Sequence, residues 1–165
     1  MPALQPALQL RGGMSLGGVD ETQIATGLTA LLGVQGLMMY QNPDKVGEMY
    51  DIPSTGVTDF FAENIGALFL GMAIAGYSVL NGGDAAEAAG YANIPGILLN
   101  IKNLVDDTAG TLGWSDASKY APLIVNGVLT AGLLGKLDFL SPGDALKYGA
   151  YWPVSYTHLT LPPKA

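Results

Sequence analysis

Charged side chains are clustered along this chain, and between the clusters lie four charge-poor windows: Thr22 to Pro43, Asn64 to Gly83, Ala88 to Ile101 and Tyr120 to Gly135. The second of these, NIGALFLGMAIAGYSVLNGG, contains no ionisable group at all except Tyr77. Crossing the hydrocarbon of a bilayer takes about 20 mostly apolar residues. The first two windows meet that length outright. The last two reach it once a helical start just upstream is included and a charged end extends to the interface. The pattern predicts four helices, and the solvent it fits is lipid.

Punctuation between the windows supports the same division. Asp84 and Glu87 have capping-box spacing ahead of an Ala-rich run, Ser115 and Asp116 can cap the fourth helix, and Thr58 with Asp59 can open the second. Asn42-Pro43, Asn81-Gly82-Gly83 and Ser141-Pro142-Gly143 are stop signals. Pro95 and Pro122 fall inside the third and fourth segments. Each removes a backbone donor and predicts a kink, which a membrane helix tolerates when neighbours re-satisfy the freed carbonyl.

Small residues recur at spacing four in every segment: Ala25, Thr29 and Gly33; Ala67, Gly71 and Ala75; Ala88, Ala92 and Gly96; Gly127, Ala131 and Gly135. Residues four apart share a helix face. In lipid, where apolar burial does not drive helices together, close approach across small residues does. These rows predict packing seams, with large apolar residues such as Leu68, Phe69 and Ile74 turned outward or toward partner subunits. A chain with 23 glycines also generates such rows by chance. Glycine at this density fits a water-soluble bundle poorly, since each exposed helical glycine costs about 1 kcal/mol relative to alanine.

Composition sharpens the picture. Of the 165 residues, 49% are hydrophobic and 13% charged, and the mean hydropathy is +0.31. Too few charges are present to hydrate the surface of a soluble globule of this size. The net charge of -7 and the lack of any Lys/Arg cluster exclude nucleic acid as a partner. With no cysteine there is no disulfide framework, thiolate nucleophile or Cys metal site. No G-x-S-x-G nucleophile motif and no phosphate-cradling glycine loop is present, so the expectation is a chain without catalytic activity. An even number of spans places both ends of the four-segment region on one side. The basic residues do not orient it, because Arg11, Lys136 and Lys147 lie on the terminal side and Lys45, Lys102 and Lys119 on the other.

Polar residues inside the windows are the candidate functional groups. Gln35, Asn93, Asn100 and Asn126 lie within them, and Glu63 and Lys102 at their edges. A polar side chain in hydrocarbon needs a partner, so each is expected to face another helix, a cavity or a ligand. The plain reading is an interhelical hydrogen bond. The sharper one is that Glu63, Asn100, Gln35 or Asn126 contacts a chlorophyll, whose magnesium accepts amide or carboxylate oxygen as a hard ligand. Carotenoid and lipid are the accompanying cofactor expectations. Nothing resembles the paired Glu and Arg of the light-harvesting antenna family, so the chain is not an ordinary antenna protein. Asp106 and Asp107 lack a third ligand at useful local spacing and read as solvated loop charge.

The ends read differently from the middle. MPALQPALQLRGGMSLGGV holds Arg11 and no acid, and LQLRGG resembles what precedes mature nuclear-encoded plastid proteins in algae with secondary plastids. A disordered terminus has the same composition. At the other end VSYTHLTLPPKA, which includes His158, the chain's sole histidine, resembles the translation of a sequencing-library adapter. On that reading the native sequence ends near Pro153 and His158 has no function. The expected organisation is 1–19 presequence remnant or disordered terminus, 20–140 four-helix transmembrane domain, 141–153 C-terminal segment and 154–165 non-native tail.

TGLTALLGVQGLMMYQNPDKVGEMYDIP, FFAENIGALFLGMAIAG and NIPGILLNIKNLVDD, taken in order, resemble the DoxX-like four-helix membrane proteins over roughly Thr22 to Leu137. The resemblance implies an all-α, four-helix transmembrane bundle more than any activity, because that scaffold has varied roles. A family position that is often basic is occupied here by Glu63-Asn64. The functional expectation is an accessory membrane subunit of a large complex, a photosystem with its antennae in the thylakoid. A small-molecule carrier or channel and a mitochondrial respiratory subunit are the alternatives.

Overall fold

The computed structural model describes residues 20–147; the presequence-like start, residues 148–153 of the C-terminal segment and the adapter-like tail with His158 lie outside them. The described residues are all-α. Helix α1 spans Glu21–Gln41, α2 Pro43–Met49, α3 Gly56–Leu80, α4 Ala85–Ala92, α5 Ile94–Val105, α6 Thr108–Thr111 and α7 Asp116–Leu133, and residues 142–147 are again helical.

Local chemistry sets these limits. Asp20 caps α1 in a full capping box with Gln23, which the apolar pattern alone did not mark. Helix α3 opens one turn earlier than Thr58-Asp59 predicts. Thr55 is the N-cap and Thr58 is its box partner, the Thr58 hydroxyl accepting from the Thr55 N–H at 2.8 Å. The expected caps at Asp84 and Ser115 are in place, each side chain accepting from the amide three residues on. Asn42 ends α1 as expected, but Pro43 then opens the short helix α2, because proline is pre-organised for a first helical turn. Helices α3 and α7 both end in Schellman motifs. Gly83 N–H donates to the Ser78 carbonyl and Lys136 N–H to that of Ala131, with Gly82 and Gly135 at positive φ. Helix α2 ends the same way with Asp51, at φ 55°, in the position glycine usually takes.

The two prolines act unequally. The third segment breaks into α4 and α5 at Asn93, with Pro95 in the first turn of α5. Helix α7 runs through Pro122 without interruption.

Neighbouring rods run antiparallel. Thr29, Gly33 and Gly36 of α1 lie against Gly76, Ala73 and Gly66 of α3, in reverse order. Helix α3 then packs on α4 and α5, and these pack on α7. No comparable packing of α1 on α7 closes a ring among the described residues, so the four rods form an open array in chain order.

What lies inside the array is small. Among the described residues the buried apolar ones are Val46, Ala62, Ala67, Ala73, Ala88, Leu99, Leu133 and Ala145, and Leu99 is the largest side chain that is fully buried. Backbones therefore approach closely. A Cβ on Gly36 would meet the Leu70 nitrogen at 2.6 Å and the Gly66 oxygen at 2.8 Å, and one on Gly71 would overlap the Ala92 carbonyl. The small-residue rows mark these seams in part. Thr29, Gly33, Ala67, Gly71 and Ala88 lie in seams as expected. The row Gly127, Ala131 and Gly135 does not carry its seam, because a Cβ on Gly127 would meet nothing within 4 Å. The α7 face that packs is offset: Gly132 meets Leu140 and Ala145, while Leu133 and Leu134 meet Gly90.

Large apolar side chains point outward. Leu28, Leu31 and Val34 of α1, Phe61 and Leu68 of α3, Leu98 of α5 and Ile124 of α7 are all exposed. Leu68 is exposed as expected, while Phe69 and Ile74 are half-buried. One helix, Gly56–Leu80, is by itself long and apolar enough to cross a membrane, and only 28% of its apolar window is buried.

Candidate functional site: a polar cluster and an apolar groove

Both candidate features lie at the end of the array where α1 and α5 finish and α3 and α7 begin. Glu63, one residue ahead of the charge-free window of α3, meets Lys102 of α5 at 3.1 Å, and Lys102 also reaches Asp106 at 3.2 Å. Partial burial works against the Lys102 charge, but the hydrogen bonds and fields of Glu63 and Asp106 outweigh it and hold its pKa above the ordinary 10.5. Asp107 pairs with Lys119 at 3.2 Å. Asp106 and Asp107 are thus exposed loop charges with cationic neighbours, as the sequence indicates.

Beside this ion pair is a cavity of ≈ 30 Å³ among α3, α5 and α7, lined by Asn64, Asn100, Asn103, Ser118 and Pro122 under the edge-on rings of Phe60 and Trp114. Asn103 is 7% exposed, and its Oδ1 has no hydrogen-bond partner. Pro122 has no N–H to give the Ser118 carbonyl, so a second acceptor at this wall lacks its helical donor. An unmatched acceptor, a carbonyl without its helical donor and room for about one water suit this cavity to a hydration site. A chlorin ring does not fit it.

The second feature is an apolar groove of ≈ 440 Å³ between α1, α2 and α3. Met38, Met39, Met49, Phe61, Ile65 and Phe69 supply its walls, with Gln35 at the end nearer the middle of α1 and Tyr50, Thr58 and Asp59 at the charged end. Thioether side chains adapt to irregular occupants. Its volume lies in the range of about 300–1,000 Å³ typical of ligand pockets.

The structure separates the four residues singled out from sequence. Glu63 is held by Lys102, Asn100 lines the hydration site, and Gln35 is exposed on α1 where it lines the groove. Asn126 contributes its main-chain oxygen, which accepts from Asn93 Nδ2 at 3.2 Å, and the same amide donates to Thr130 Oγ1 at 2.7 Å. Asn93 therefore ties the break between α4 and α5 to α7, the interhelical bond expected of a polar residue in these segments. Sequence reasoning passed over Asn64, Asn103 and Met49. The i, i+3 spacing of Asn100 and Asn103, facing Asn64 beside Glu63, was a usable signal for the first two. Met49 lies on a helix that the pattern did not predict. Among the described residues no group of three or more His, Asp or Glu side chains is placed to hold a metal ion.

No protein-family model matches the chain, and neither a curated protein nor a solved structure matches it at a significant level. These comparisons neither support nor contradict the likeness to the DoxX-like family.

Proposed function

We propose that this chain is a non-catalytic accessory subunit of a large membrane complex, with its four rods crossing the bilayer and its outermost rods docking neighbours. The observation that carries the reading is the inverted distribution of side chains: alanine and glycine inside, leucine, isoleucine, valine and phenylalanine outside. Water penalises that arrangement, since exposed apolar patches beyond a few hundred Å² are rare on soluble monomers. Lipid does not penalise it, and close backbone approach is what holds helices together there.

Charge placement agrees. In the antiparallel array, Asp20, Asp84, Glu87 and Lys136 fall at one end, and Asp44, Asp59, Glu63, Lys102 and Asp116 at the other, with a charge-free belt between. At 1.5 Å per residue α1 is about 31 Å long, close to the hydrocarbon thickness of about 30 Å. Tyr77 and Tyr91 lie toward one end of the belt and Tyr50, Trp114 and Tyr120 toward the other, the depth that amphipathic rings favour.

Gln35, Asn100 and Asn126 line no common path, which suits a scaffold and not a carrier. The open array leaves one face each of α1 and α7 for other subunits. We infer that the assembly is a photosystem core with its light-harvesting antennae in a thylakoid membrane, because LQLRGG resembles the run that often precedes mature plastid proteins; chlorophyll or carotenoid would then lie against the exposed apolar faces, not in the hydration site. Isolation of native membrane complexes, with the chain located by mass spectrometry and each fraction's absorption spectrum recorded, tests this. Comigration with a chlorophyll-containing complex is expected. Comigration with a cytochrome-containing respiratory complex would replace the photosystem by the mitochondrial assembly, and recovery in the unassembled soluble fraction would refute the subunit reading.

A further inference from the structure

We propose that the groove between α1, α2 and α3 holds a single membrane lipid whose head is neutral and carries hydroxyl groups. This rests on the membrane reading above and adds the chemistry of a site. The groove offers ≈ 440 Å³ lined mostly by apolar side chains. A hydrocarbon chain fits. The groove's walls are methionine, phenylalanine and isoleucine, and apart from Gln35 its polar groups are gathered at the charged end of the belt, where a lipid head would sit.

The head is selected by charge. From Pro43 to Asp59 the chain carries Asp44, Glu48, Asp51 and Asp59 against Lys45. Asp59 lines the groove itself, and both its carboxylate oxygens accept from the Ser54 hydroxyl, at 2.9 and 3.0 Å. A carboxylate retains acceptor sites beyond one such donor, so it favours a head that donates O–H. A phosphate placed there would meet like charge. A glycolipid meets both requirements, whereas an anionic phospholipid such as phosphatidylglycerol, whose head also donates O–H, fails on charge.

The test is reconstitution of the full chain into nanodiscs of equal parts galactosyl diacylglycerol and phosphatidylglycerol, extraction with mild detergent and mass spectrometry of the retained lipid. The wild type should retain the galactolipid in about tenfold excess, the factor that accompanies about 1.4 kcal/mol of binding free energy. Ile65→Trp, which fills the groove, should abolish that excess. Leu68→Trp, on the exposed face outside it, should not. Equal retention of the two lipids, or an unchanged excess in Ile65→Trp, overturns the proposal, as does release of a pigment from the groove in place of lipid. Carbonate-resistant insertion of each variant is scored separately, so failure to enter the bilayer counts against the membrane reading and not the groove. Should Ile65→Trp not insert, a galactolipid with a photoactivatable tail decides the matter on the wild type. Adducts concentrated at Met38, Met49 and Phe61 are expected, and adducts spread equally over Leu68 and Ile124 overturn the proposal.

Discussion

The seam between α1 and α3 can be tested by adding one carbon atom at graded positions along a single helix. A Cβ on Gly27 meets nothing within 4 Å, one on Gly33 meets the Ala73 Cβ at 3.6 Å, and one on Gly36 meets backbone atoms of Leu70 and Gly66 at 2.6 and 2.8 Å. Ordinary contact between carbon atoms begins at about 3.5 Å, so Gly36→Ala forces the two helices apart by most of an ångström, and backbone cannot rotate away as a side-chain tip would. Overpacking of this kind costs about 1–3 kcal/mol. Each glycine-to-alanine change also gains about 0.8–1 kcal/mol of helix propensity. That gain is common to all three variants, so subtracting Gly27→Ala from Gly36→Ala isolates the seam term. In mild detergent, unfolding followed by circular dichroism during titration with a denaturing detergent should rank Gly27→Ala and Gly33→Ala at or above the parent and Gly36→Ala below Gly27→Ala by about 1–3 kcal/mol. Gly66→Ala should resemble Gly36→Ala, and the double variant should fall short of the sum, because both added atoms open the same crossing of α1 and α3. Equal stability of Gly27→Ala and Gly36→Ala would refute the claim that close backbone approach holds these helices together.

Gly71→Leu places a branched side chain against the Ala92 carbonyl and should separate α3 from α4, with a loss at or above about 3 kcal/mol in the same titration. Asn93→Ala removes the donor to Thr130 Oγ1 and the Asn126 carbonyl and should cost about 0.6–1.7 kcal/mol, read against Asn126→Ala, which keeps the accepting carbonyl and should change little. Because the Lys102 pKa is raised on folding, the Glu63–Lys102 pair contributes below pH 10.5 and is lost only as pH climbs through the higher folded-state value. From pH 7 upward the stability difference between wild type and Lys102→Met should therefore be flat up to pH 10.5 and shrink above it; a difference that disappears between pH 7 and 10.5 would contradict the assignment.

Four charge-poor windows were enough to place the four rods, and cap chemistry at Asp84 and Ser115 set two of their starts. What escaped the sequence reading has local causes. Helix α2 is too short for periodicity to show, and only its leading proline marks it. The α3 start moved to Thr55 because a Thr-x-x-Thr box satisfies the first amides before Asp59 is reached. The seam rows were correct in kind and partly wrong in phase. At spacing four a row drifts about 40° per turn around a helix of 3.6 residues, and Gly36 and Gly132, three residues beyond Gly33 and short of Gly135, carry contacts the rows omit. The polar residues were legible as needing partners but not as having different ones. Glu63 answers to Lys102 and Asn93 to Thr130, pairings set by the antiparallel order of rods far apart in sequence.

The central claim, that four rods cross a bilayer in antiparallel order, is most directly tested by single-cysteine labelling, for which a chain without cysteine is a clean background. Cysteines at Ser54 and Ser115 should react with a membrane-impermeant thiol reagent from one side of sealed vesicles. Those at Asn81 and Ser141 should react only from the other, and those at Leu31, Leu68, Leu98 and Ile124 from neither. Labelling of all eight positions from the same side of intact vesicles would contradict the account.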